Sequence, residues 1–236
     1  MPKLRKTPLM MFCLALPLTA WAADFWAKKP YQTWSAEETQ QMLAESPWAT
    51  TLKLGGIQSV TGNAPRPGGE TEMEEDPSVT YILQFRSAQP IRQAQVRSSE
   101  LTAHYDKMSA EQKAAFDANG SKFLSATFPD RVIVAITFQS NVQTYQGELR
   151  TYWTQQSLPK QSMKVFLNAG SEKLSLTGYS CNGDTFQFVF PRPKDLSPDG
   201  KISVEFVHPR IERIGEQRIF QVFSLKKMLV DGQPAL

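Results

Sequence analysis

The chain has 236 residues, 41% of them hydrophobic and 21% charged, with 26 Lys+Arg against 23 Asp+Glu and a formal net charge of +3. That length suffices for a packed core in one large domain or two small ones. The sequence holds two cysteines and two histidines, which excludes a CxxC-based zinc site and leaves few residues for the commonest acid–base chemistry.

Residues 1–22 read as a signal peptide. Lys3, Arg5 and Lys6 make a basic start, Leu9 to Thr19 is uncharged and mostly apolar, and Ala20-Trp21-Ala22 supplies the small-x-small cleavage pattern. The apolar stretch is about half the roughly 20 residues a membrane-spanning helix needs. Its removal takes three basic charges and leaves 23 of each sign in residues 23–236. Bulk attraction to nucleic acid or anionic membrane is thereby removed. Cys181 becomes the sole thiol of the exported part, so stability must come from packing rather than an internal disulfide.

The run "DFWAKKPYQTWSAEETQQMLAESPW", 24–48, contains the S-x-x-E capping box Ser35/Glu38 and predicts a helix from about 36 to 46, stopped by Ser46-Pro47. Trp26, Tyr31, Trp34 and Trp48 flank it. Large rings at both ends of a short helix fasten it to a core, and that reading is preferred to an exposed ligand platform. Residues 55–78 read as a loop rich in Gly and Pro. Its acidic run Glu70–Asp76 lacks calcium-loop spacing and reads as a solvated face.

"VTYILQF", 79–85, alternates as a strand. Pro90 opens a helix whose stripe is Ile91, Ala94, Ser98, Leu101, Tyr105 and Met108, with His104 on it; Ser109/Gln112 caps a second helix expected to stop at Asn119-Gly120. "RVIVAITF", 131–138, is apolar on both faces and predicts a central strand. Further strands are expected at 148–153, 163–167, 173–179, 185–190, 201–207 and 218–225. A type I′ hairpin turn is expected at Asn182-Gly183, and further turns at 198–200 and 230–232. The expected fold class is α+β. It is β-rich, a mostly antiparallel sandwich or curved sheet, with an N-terminal capped helix and a helix pair between two strands. Residues 23–236 form one exported domain, with 23–130 and 131–236 as an optional subdivision.

No catalytic constellation is legible. "GYSCNGD" places Ser180, Cys181 and Asp184 close together, but the hairpin turn accounts for Asn182, Gly183 and Asp184. No residue is assigned to catalysis, to a cofactor or to a metal. Zinc held by His104, His208 and carboxylates, Cys181 as nucleophile, and Tyr145, Tyr152 and Trp153 as a groove lining with Trp26 and Trp34 are the alternatives weighed and set below core or turn roles.

The segments "DFWAKKPYQTWSAEE…SPWA", "YILQFRSAQPIRQAQVR" and "FSLKKMLVDGQ" resemble a group of uncharacterised secreted proteins of acidobacterial type. The resemblance implies export and a shared fold and carries no cofactor or site residue. The expectation is a non-catalytic envelope or extracellular interaction module with an envelope protein or polysaccharide as partner, no nucleic acid and no membrane span after cleavage. The alternatives are a secreted hydrolase working through carboxylates and a carbohydrate-binding module.

Overall fold

The computed structural model describes residues 25–55, 76–194 and 196–236. The signal-peptide reading, most of the 55–78 loop and Glu70–Glu75 of the acidic run lie outside the described residues.

A short helix α1 (Phe25–Lys28) and a 3-10 turn (Tyr31–Thr33) lead into α2 (Ala36–Ala44). Both halves of the expected capping box are formed: the Ser35 hydroxyl accepts from the Glu38 backbone N–H at 3.1 Å, and the Ser35 N–H donates to the Glu38 carboxylate at 3.0 Å. Trp34 and Trp48 are fully buried at either end of α2. The Trp34 indole donates to the Lys29 carbonyl at 3.3 Å and the Trp48 indole to the Ala235 carbonyl at 2.7 Å. These rings are therefore fasteners, as the sequence suggests, and each buries a large apolar area. Trp26 and Tyr31 are partly buried against the same core.

Strands β1 (Ala49–Gly55) and β2 (Ser78–Phe85) follow, then α3 (Gln89–Thr102), a 3-10 turn (Tyr105–Lys107), α4 (Ala110–Ser125) and β3 (Arg131–Ser140). After them come α5 (Gln143–Thr154), α6 (Leu158–Gln161), β4 (Phe166–Ala169), β5 (Glu172–Ser175), β6 (Gly178–Asn182), β7 (Thr185–Pro191), β8 (Lys201–His208), β9 (Gln217–Ser224), and the hairpin β10 (Leu229–Val230) and β11 (Gln233–Pro234). A five-stranded antiparallel sheet runs β1-β2-β3-β7-β6, and a four-stranded one runs β5-β4-β8-β9. This is the α+β antiparallel sandwich, built from two sheets that interleave their rings. Tyr81 meets Phe206 with centroids 5.5 Å apart, and Phe85 meets Phe223 at 4.9 Å. Register places Tyr81, Phe138 and Leu83, Ile136, Phe186 on one inner face, as period-two alternation requires. A division at residue 130 would cut between β2 and β3, which are neighbours in one sheet.

Several sequence expectations are corrected. Residues 148–153 are helix, not strand: Tyr145, Leu149 and Trp153 recur every four residues on the buried face of α5. That period is helical, despite a composition of β-favouring rings and threonines. Trp153 stacks on Phe186 at 3.9 Å. Helix α3 ends at Thr102, so His104 is not on it. His104 takes the left-handed conformation (φ 51°) that turns the chain into the 3-10 segment carrying Tyr105. Helix α4 runs through Asn119-Gly120 to Ser125 because Arg92 of α3 donates to the carbonyls of Phe123, Leu124 and Ala126, supplying from outside the partners that terminal carbonyls lack.

The strand expected at 163–167 starts only at Phe166, with Met163 exposed. The one expected at 173–179 is split between β5 and β6, which belong to different sheets. In the β6–β7 hairpin Asn182 pairs with Thr185, so the turn residues are Gly183 and Asp184. Only Gly183 has positive φ, at 59°, which is the pattern of a type II′ turn. The doubly positive pair that a type I′ turn needs occurs instead at Asp231-Gly232, φ 50° and 76°, between β10 and β11.

Candidate functional site

Chain segments at one end of the sandwich converge on a surface formed by α3, α4 and the Tyr31 turn. Helices α2 and α3 leave this end because α2 enters β1 and α3 follows β2, and the two strands pair there, Ala49 opposite Gln84. Helix α4 then lies along α3. None of its sixteen residues is buried. It is held by the Arg92 clamp, by Tyr105 against Phe116 (5.5 Å), and at Gly120, where a Cβ would sit 3.4 Å from the Val96 side chain. That is ordinary van der Waals contact, so the two helices touch at this point without requiring the glycine.

Two grooves, each of about 380 Å³, flank this contact and share Val96, Phe116 and Gly120. One is mainly apolar and includes Phe123, which is 42% exposed. The other is polar and aromatic, with Tyr31, Tyr105 and Phe116 beside Glu100, Asp106, Asp117 and Arg97. It sets three carboxylates against the Arg97 guanidinium, with the Lys113 ammonium 5.4 Å from the Tyr105 ring, so a small negative excess remains and its field mildly favours cations. Arg97 bonds both Glu100 (2.8 Å) and the Trp34 carbonyl (2.9 Å), and the Tyr105 hydroxyl donates to both Asp117 oxygens at 2.9 and 2.8 Å. Burial, then the Glu100 and Asp117 charges, raise the Tyr31 phenol above its usual range. The Asp117 hydrogen bond is the main cause raising Tyr105. Both phenols are therefore neutral hydrogen-bonding groups at ordinary pH.

The sequence-predicted residues lie elsewhere. His208 is buried between the sheets with Nδ1 2.7 Å from the Tyr81 hydroxyl, while its Nε2 is buried with no hydrogen-bond partner among the described residues. Burial pushes the imidazole down to about 4. It is sealed from substrate, and His104 is exposed on its turn, so the two do not form a site together. Cys181 is partly exposed, 3.9 Å from the Thr154 hydroxyl and the Gly183 carbonyl. No histidine is bonded to it among the described residues, and Asp184 is taken by Arg150 in a two-pronged ion pair at 2.8 and 3.0 Å. Trp34, Tyr145 and Trp153 are buried, so they offer no stacking platform with Trp26 and Tyr152. Among the described residues no three His, Cys, Asp or Glu side chains gather as a metal site, and no helix is long and apolar enough to cross a membrane. The groove residues Tyr31, Arg97, Glu100 and Asp117 carry no motif; only the helix pair that presents them is visible in the sequence.

No family model matches the chain, and no curated protein matches it. Among solved structures it is similar to the crystal structure of a novel protein of unknown function from Burkholderia pseudomallei. The TM-score is 0.38 and the identity 13%, over 59% of this chain and 73% of that one, a likeness too loose to carry a functional argument.

Proposed function

We propose that the protein is a non-catalytic interaction module that works outside the cytoplasm, with the α3–α4 surface recognising a basic, amphipathic segment of an envelope or extracellular protein. The observation that carries this reading is α4 itself, a sixteen-residue helix with no buried residue, bordering an apolar groove and an acidic aromatic one. Charge selects the occupant: an apolar stripe fits along Val96, Phe116 and Phe123, and Lys or Arg side chains fit against Asp106 and Asp117, Glu100 being already paired with Arg97. The leader-like residues 1–22 support export.

Mild cross-linking in cells that export the tagged chain tests this. A partner captured by the native chain should be lost with Phe123→Glu and with Asp106→Lys, both surface changes that leave the melting temperature in place. Equal capture by all three proteins would refute it. Carboxylates beside aromatic rings also favour a second reading, a secreted hydrolase. Against it, Glu100 and Asp117 are already engaged by Arg97 and Tyr105. Turnover of a glycan or peptide panel that disappears in Glu100→Gln or Asp117→Asn would establish that reading instead.

A further inference from the structure

Strand β9 closes the four-stranded sheet and pairs with β8 at all eight of its positions, while among the described residues no strand lies on its other side. A bare edge presents a row of backbone donors and acceptors, and folded proteins guard such edges with short length, Lys, Pro or a bulge. The other edges follow this rule. Strand β5 is four residues long and holds Lys173, β6 is five residues long, and β1 carries Lys53. Strand β9, "QRIFQVFS", has eight residues, no Pro, Gly, Lys or acid, and an unbroken register.

Its outward side chains are apolar as well. Phe220 is 58% exposed and Val222 42% exposed, while Ile219 and Phe223 on the other face are buried in the core. The one charge, Arg218, is matched within the chain by Glu205 of β8. Burial alone would raise the Glu205 carboxyl, but hydrogen bonds from Arg218 and Lys173 leave it lowered. Arg218 and Lys173 thus share one carboxylate, and β9 itself carries no acid and a single paired arginine.

We propose that β9 is a homodimer edge, pairing antiparallel with β9 of a second copy about a twofold axis at Gln221. In that register Phe220 stands opposite Val222 of the second copy and Val222 opposite its Phe220, so four exposed apolar side chains meet in cross-strand pairs. Ile219 falls opposite Phe223 and Arg218 opposite Ser224, which keeps the two arginines about 20 Å apart along the strands. A copy of the same strand therefore meets β9 with its exposed apolar pair matched and without a charge clash, its one arginine being paired with Glu205 and held far from its symmetry mate. The product is one eight-stranded sheet with an isologous interface. This inference does not rest on the α3–α4 reading.

The test uses full-length chain with Cys13→Ser and Cys181→Ser, to which single thiols are added. Gln221→Cys should give a disulfide-linked dimer on mild oxidation, because directly paired Cα atoms lie about 4.5–5.5 Å apart, within disulfide reach. Arg218→Cys should give none. In sedimentation the unmodified chain should show a concentration-dependent dimer. Phe220→Glu should weaken it roughly tenfold or more, and adding Val222→Lys should restore it, since the new acid then faces the new amine across the axis. A monomer at every concentration overturns the proposal. So does a dimer that links through position 218, or one that ignores Phe220→Glu.

Discussion

The Tyr81–His208 pair links the core to pH. His208 is fully buried, and burial holds its imidazole at about 4 in the native state, against about 6.5 in an unfolded chain. Between those values the unfolded chain takes up a proton that the native state refuses. The unfolded state then binds more protons, so stability rises with pH and falls as pH drops through this window. The slope approaches about 1.4 kcal/mol per pH unit. The full loss from about pH 6.5 to about pH 4 is therefore about 3 kcal/mol, a large part of a typical domain's 5–15 kcal/mol. Above about pH 6.5 this group contributes no further pH dependence. Carboxylates held low by partners, such as Asp184 by Arg150 and Glu38 by Lys29, lose their contribution only at more acidic pH. Urea unfolding followed by tryptophan fluorescence at about pH 7, 6 and 5 should show the decline in the wild type. His208→Gln, which keeps a hydrogen-bonding partner for Tyr81 but does not titrate, should lose most of that slope. Equal slopes in the two proteins would refute the reasoning, whatever the absolute stability of the variant.

Trp34→Ala should cost about 3–5 kcal/mol, because the ring is 1% exposed and sits edge-on to Phe25; an unchanged melting temperature would remove the fastener role. Arg92→Met should free the end of α4, raising amide exchange over residues 121–125 while amides of β2, β3 and β7 keep their protection; uniform exchange across the chain would show that Arg92 does not anchor α4. Gly120→Ala should be neutral or stabilise by up to about 1 kcal/mol, since helix propensity favours Ala and its Cβ would meet only the Val96 methyl at 3.4 Å. A loss above about 1 kcal/mol in chemical denaturation would mean that the helices cannot yield there.

What the sequence discloses is what neighbours in the chain decide. Both capping boxes close within three residues, at Ser35 and Ser109, and the alternation of β7 and β8 survives in Phe186, Phe188, Phe190 and Ile202, Val204, Phe206. Errors arise where a distant residue decides. Helix α4 outlasts its glycine because Arg92, 31 to 34 residues away, satisfies its last carbonyls. Trp48 finds its acceptor 187 residues on, and Tyr81 its histidine 127 residues on. The α5 stretch misleads differently: its rings and threonines favour a strand, and burial of Tyr145, Leu149 and Trp153 in the core, with Trp153 stacked on Phe186 of β7, overrides that preference. The candidate groove is built from Tyr31, Glu100, Tyr105 and Asp117, residues of four separate elements, so no local pattern announces it.

Stability is divided in a way that bears on function. The sandwich core is closed by interlocking rings between two sheets, whereas α4 adds no buried residue to it. Its attachment is a guanidinium clamp, the contacts of Tyr105 with Phe116 and Asp117, and a van der Waals contact at Gly120. Regions with few buried contacts are the ones that open at low cost, and binding elements are drawn from them. A helix that the core does not need for its own burial is one whose outer face can be shaped for a partner. Pairing through β9 would set two such faces on one rigid eight-stranded sheet, and a ligand carrying two basic segments would then bind the second at a high effective concentration. Phe220→Glu would weaken capture of such a ligand while leaving the affinity of each α3–α4 surface for a single segment unchanged.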